Sequence, residues 1–111
     1  METTSVPELT ISPSGVAFAI SLSLSASSAA QAILVSSSAD GGAHWGPAVT
    51  ILEDQSDDVF DDKESITADP LNSSYVYAVW DRLQGLNSRR QSDFRGPVWF
   101  ARTSDGGATW E

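Results

Sequence analysis

The stretch Ser38-Ala39-Asp40-Gly41-Gly42-Ala43-His44-Trp45 returns 65 residues later as Thr103-Ser104-Asp105-Gly106-Gly107-Ala108-Thr109-Trp110. The shared pattern is Ser/Thr-x-Asp-Gly-Gly-Ala-x-Trp. A repeat of this period marks one supersecondary unit that buries its apolar face against its neighbours, as in a propeller or another array. Asp at the start of such a turn accepts backbone N–H bonds, and Gly supplies positive φ where the chain reverses. The Trp that follows is expected to return its ring to the hydrophobic layer. Ser38, Asp40, Gly42, Trp45, Thr103, Asp105, Gly107 and Trp110 therefore read as fold residues and not as catalysts. His44 occupies a variable slot and is expected to be exposed. As the only histidine of the chain, it cannot form a multi-histidine metal site.

Working outward from the two turns, each unit resolves into short strand-like runs. In the first they lie near Glu8–Ile11, Val16–Leu24, Ala32–Ser37 and Ala48–Leu52. In the second they lie near Glu64–Ala68, Tyr75–Arg82 and Pro97–Thr103, and a fourth would follow Trp110. Gly, Pro, Asn, Asp and Ser separate the runs, as turn chemistry requires. The predicted fold is all-β: tandem four-stranded antiparallel blades, one over about residues 7–52 and an incomplete one over about 60–111. Ala26–Leu34 is Ala-rich and offers a helical alternative, but it lacks a charged face.

A run of 31 uncharged residues separates Glu8 from Asp40. It does not read as a membrane span. Phe18, Ile20, Leu22 and Leu24 alternate with Ala17, Ala19, Ser21 and Ser23, which is a strand period, and the serines weaken insertion. Glu2, with no positive charge before the apolar run, also argues against a signal peptide.

The chain of 111 residues carries 15 acidic and 6 basic side chains, for a net charge of −9, and no cysteine. That charge excludes a phosphate-binding surface, so nucleic acid is not an expected partner. The absence of cysteine excludes a disulfide framework and a thiolate zinc site. The imbalance is local. Residues 53–64 contain seven acids and one lysine, whereas residues 65–111 hold five acids and five arginines.

The repeated motif resembles the Asp box, or bacterial neuraminidase repeat, of sialidase-like β-propellers. Asp61-Asp62-Lys63-Glu64-Ser65-Ile66-Thr67-Ala68-Asp69-Pro70, with Tyr75–Arg82 and Arg95-Gly96-Pro97, is similar to bacterial exo-sialidase-like proteins. The resemblance covers roughly Glu8 to Trp110. It implies a six-bladed propeller of four-stranded sheets, secreted or periplasmic, that binds or hydrolyses a glycan, sialylated or otherwise acidic. Six units of about 65 residues need on the order of 390 residues, so this chain amounts to about 1.7 units and reads as a fragment. The alternative implied function is a non-catalytic scaffold for protein partners, which Asp-box repeats also build.

In such a propeller the Asp-box hairpins lie on one face. The inter-blade link, read here as Glu53–Glu64, and the loop Leu83–Gly96 lie on the other. Asp61, Asp62, Lys63 and Glu64, with Arg82 and Arg95, are thereby the candidate ligand-facing residues. Carboxylates can bond sugar hydroxyls or act as acid and base, and arginine forks suit an acidic sugar. The same group also reads as a solvated surface with ion pairs of small value. A third reading is Ca²⁺, since hard oxygen ligands abound, but the spacing fits no EF-hand loop and lacks its central Gly. No cofactor is therefore expected.

The family's catalytic set is not recoverable. Sialidases use three arginines, a tyrosine assisted by a glutamate, and an aspartate. Phe94-Arg95-Gly96-Pro97 resembles their first arginine motif but falls only ten residues before Asp105. Tyr75 and Tyr77 sit in a strand, where packing is expected. The chain alone is thus expected to be inactive. Asn72-Ser73-Ser74 also matches an N-glycosylation acceptor.

Overall fold

A computed structural model describes residues 2–3, 8–24, 30–55, 59–84 and 97–111. Arg89, Arg90, Asp93 and Arg95 lie outside the described residues. The described chain is all-β, with strands β1 (Glu2–Thr3), β2 (Glu8–Ile11), β3 (Ala17–Leu24), β4 (Gln31–Ser38), β5 (Val49–Asp54), β6 (Val59–Ala68), β7 (Val76–Gln84) and β8 (Val98–Thr103). The helical alternative fails where it can be read, because Gln31–Leu34 is strand. None of the described residues forms a helix long and apolar enough to cross a membrane.

The strands form two antiparallel sheets. The first is 5-stranded, in the order β1-β3-β4-β5 with β2 also on β3; the second is 3-stranded, β6-β7-β8. β1 and β2 pair with opposite ends of β3, through Thr3↔Ser23 and Glu8↔Ile20. Together they take the place that the single long strand β6 takes beside β7. The sheets are therefore four ranks and three ranks wide: β8 matches β4, and among the described residues the second sheet has no counterpart of β5. Two backbone bonds between Arg102 and Glu111, each 2.9 Å, return the chain antiparallel to β8 where that counterpart would begin.

The core lies between the sheets. Phe18, Ile20, Leu22, Ile33 and Val35 of the first sheet pack on Ile66, Ala68, Val76, Ala78, Trp80 and Ala101 of the second. Period-2 alternation explains the choice, since each set holds every second residue of its strand. Cross-sheet bonds add to the seam: the Ala68 N–H donates to Thr10 Oγ1 at 3.0 Å, and the Ser14 N–H to Ser73 Oγ at 3.0 Å.

The two repeated turns are built alike. Ser38 Oγ donates to Asp40 Oδ1 (2.8 Å) and accepts from the Gly42 N–H (3.0 Å), while Asp40 Oδ1 accepts the His44 N–H (2.9 Å). Thr103, Asp105, Gly107 and Thr109 repeat these bonds at 2.7, 2.9 and 3.0 Å. Gly41 and Gly42 have φ of 74° and 92°, and Gly106 and Gly107 have 75° and 97°. The Trp residues differ. Trp110 packs against the core as expected, but Trp45 is exposed and turns its indole N–H to Gly42 O at 3.1 Å. The expectation of a buried ring fails there because, among the described residues, no second sheet covers that side of the first sheet.

Candidate functional site

The acidic segment connects the two sheets, but most of it is strand. β5 runs through Asp54 and β6 already begins at Val59, so most of Glu53–Glu64 is strand and the predicted start at Glu64 is too late. Asp and Glu are poor strand formers, which hides the extension in the sequence. Pairing with the long β7 overrides propensity, through Phe60↔Leu83, Asp61↔Arg82 and Asp62↔Asp81. The register shifts between Asp62 and Ser65, and Lys63 there adopts φ 54°. This bulge turns Lys63 outward and lets both Asp61 and Glu64 face inward.

The predicted residues are consequently dispersed. Asp61 and Glu64 are buried, Asp62 is half-buried and Lys63 is exposed. Asp62 and Lys63 lie within β6 and not at its start. Tyr75 precedes β7, while Tyr77 within it stacks on Phe100 and donates its hydroxyl to Asp69 Oδ2. His44 is exposed and its Nδ1 pairs with Asp40 Oδ2 at 2.7 Å.

Of the six candidates, Asp61 and Arg82 meet. Arg82 forms a fork with Asp54, Nη1 to Oδ2 at 2.5 Å and Nη2 to Oδ1 at 3.0 Å, and Nη1 also reaches Asp61 Oδ1 at 3.4 Å. Its guanidinium lies 4.5 Å from the centre of the Trp99 ring. The Asp61 N–H donates to Gln31 Oε1 at 3.0 Å. Strands β4 and β5 of one sheet and β6, β7 and β8 of the other thus converge on one polar cluster. Asp54, Gln31 and Trp99 were not predicted for it. Asp54 lies in the acidic run, but nothing in the sequence separates it from its six neighbouring acids.

The two carboxyls are driven apart. Burial, then the hydrogen bond and charge of Asp54, push Asp61 up to about 7. The charge of Arg82 opposes this, followed by the Trp80 indole, which acts from outside hydrogen-bond geometry, since neither Trp80 Nε1 nor Asp61 Oδ2 has a hydrogen-bond partner. Asp54 moves down, chiefly through its bonds to Arg82. Near neutral pH one arginine therefore serves one firm carboxylate and one carboxyl poised to hold a proton.

The cluster sits at one end of the strands and the repeated turns at the other. Arg82 and Asp61 lie toward the far end of β7 from Val76, which pairs with Thr103 at the second turn. In the first sheet Asp54 pairs with Gln31, at the end of β4 opposite Ser38. Among the described residues no group of three or more His, Asp or Glu side chains is set to hold a metal ion. Comparison with known proteins adds nothing to this geometry: no protein-family model matches the chain, and no curated protein matches it.

Proposed function

We propose that the two sheets are consecutive blades of a sialidase-like, Asp-box β-propeller, and that the strand ends opposite the Asp-box turns form its glycan-binding side. The observation that carries this reading is the pair of turns with matching bonds and positive-φ glycines, both remote from the acid–arginine cluster. Among the described candidates, exposed Lys63 and half-buried Asp62 are the ones at the cluster end that a ligand can reach. A carboxylate there can accept bonds from sugar hydroxyls, and the ammonium can meet an acidic sugar.

A specific observation favours the alternative, a non-catalytic propeller scaffold. Asp61 and Asp54 have the divided proton affinities of an acid and base pair. Yet Asp61 is 1% exposed, and Arg82 is already committed to both. A carboxyl enclosed between sheets, as Asp61 is, holds the sheets together and is not within reach of a substrate. Turnover would need residues beyond these.

Glycan-array binding and a fluorogenic sialoside assay on the polypeptide containing this chain test the reading. Asp62→Ala should weaken glycan binding or turnover about tenfold, or about 1.4 kcal/mol. The 111-residue chain alone should show no turnover. Unchanged binding by a correctly folded Asp62→Ala protein would leave the cluster end as ordinary surface. Absence of any glycan binding by the parent polypeptide would favour the scaffold.

A further inference from the structure

Among the described residues, four buried side-chain atoms have no hydrogen-bond partner within the chain: Asp61 Oδ2, Trp80 Nε1, Arg82 Nε and Trp110 Nε1. Buried polar atoms are nearly always bonded, so several exceptions at one place need a physical reason. The first three belong to the acid–arginine cluster in the seam. Asp61 pairs with Arg82 across β6 and β7, and Trp80 stands two residues before Arg82 on the same face of β7. Asp61 is 1% exposed and Trp80 is 2% exposed, so bulk solvent does not serve them.

The bonds already made define what is left over. Arg82 commits Nη1 and Nη2 to Asp54, and Nη1 also reaches Asp61 Oδ1 at 3.4 Å. Nε–H is the remaining edge of that guanidinium, and Oδ2 is the remaining oxygen of Asp61. The Trp80 indole acts on the Asp61 carboxyl yet is not bonded to it. A direct bond between those two would still leave Arg82 Nε–H unsatisfied. The leftover set is two N–H donors and one carboxyl oxygen, so its ligand must accept twice and donate once. A metal cation would meet the hydrogens of two N–H groups. An anion would lie beside the carboxyls of Asp54 and Asp61. A neutral molecule that both donates and accepts meets neither conflict, and water is the smallest of these.

We propose that the seam binds one water molecule that bridges Trp80, Arg82 and Asp61. Its oxygen accepts the Trp80 Nε1–H and the Arg82 Nε–H, and one of its O–H groups donates to Asp61 Oδ2. Three bonds are the usual complement of a water enclosed in a protein. The water gives each of the three side chains the bond that the strands do not provide. It thereby extends the Asp54–Arg82–Asp61 clasp to Trp80, a member of the apolar core. The proposal rests on the hydrogen-bonding groups of the seam and is independent of glycan binding.

A high-resolution crystal structure and nuclear magnetic resonance of the isotope-labelled chain test it. The density should show a single water within about 2.7–3.2 Å of all three atoms. In solution, the Trp80 Nε1 proton should show a cross-relaxation peak at the water frequency, with the sign of a long-lived bound molecule. The signal lost in Trp80→Phe identifies that proton. Where that variant does not fold, Trp45→Phe, Trp99→Phe and Trp110→Phe identify it by elimination among the four Trp residues. Asp61→Asn keeps an oxygen acceptor but has no exchangeable carboxyl proton, so the peak should remain. Loss of the peak in Asp61→Asn would trace it to the Asp61 proton and overturn the proposal. So would density showing Trp80 Nε1 bonded directly to Asp61, an ion in place of the water, or a wild-type chain without the peak.

Discussion

Replacing Asp61 with Asn should make stability less sensitive to pH between about 4 and 7, by removing a proton that the fold retains and the unfolded chain releases. The folded carboxyl titrates near 7, raised from 3.8, because it is enclosed between sheets beside Asp54. Between those values the native state binds more protons than the unfolded state, so stability falls as pH rises through the window. Three units at about 1.4 kcal/mol each set a ceiling of roughly 4 kcal/mol for that fall. Asp54 shares the titration and carries part of it. Its own lowered affinity contributes stability that is present above its unfolded pKa and lost only on stronger acidification, outside this window. Asn keeps the shape and an N–H donor toward Asp54 but cannot ionise. Urea unfolding followed by Trp fluorescence at intervals across the window measures the slope for both proteins. The wild type should lose stability toward neutral pH while Asp61→Asn stays nearly level. Parallel profiles would show that Asp61 is ionised throughout, with Arg82 offsetting its burial, and would refute this account.

Other substitutions probe the seam and the turns. Arg82→Lys should destabilise the protein by about 1–3 kcal/mol in denaturant titration, since an ammonium can reproduce neither the fork on Asp54 nor the stacking on Trp99. Thr103→Val keeps the shape of a buried residue but removes its bonds to Asp105 and from the Asp105 and Gly107 N–H groups; the cost should be about 1–3 kcal/mol. Gly107→Ala should lower Tm more than Gly106→Ala. Both need positive φ, but a Cβ on Gly107 would also come within 3.1 Å of Phe18, whereas Gly106 faces open space. Phe18→Ala, at the centre of the seam, should cost about 3–5 kcal/mol and is read by the same titration.

The fold was legible where one face is buried and the other is not. Phe18, Ile20 and Leu22 alternate with Ala and Ser, and β3 follows that alternation to within one residue of the predicted start. The Asp-Gly-Gly turns were legible because positive φ leaves few substitutes for Gly. β6 was not, because its first half carries Asp61, Asp62, Lys63 and Glu64. Charged side chains in sequence signal solvent, and here two of the four are enclosed by a bulge and by a neighbouring sheet. The pairing that encloses them is a long-range property of β7, whose extension to Gln84 carries no pattern of its own.

The site was less legible than the fold for a related reason. A charge run shows which groups share a segment, but their roles depend on what the opposite sheet brings. Arg82 suits an acidic ligand when read alone. Beside Asp54 and Asp61 it neutralises carboxyls that the fold has withdrawn from water, and the pair gains because breaking it would strand a buried charge. The cluster therefore fixes how the two sheets meet at the end remote from the two Asp-Gly-Gly turns. Among the described candidates, those open on that side are the residues that the bulge turns outward, Lys63 foremost, with half-buried Asp62 beside it. The bulge divides one acidic segment into an inward clasp and an outward surface. A substitution that straightens β6 at Lys63 should disturb both at once, whereas Asp62→Ala should disturb only the surface.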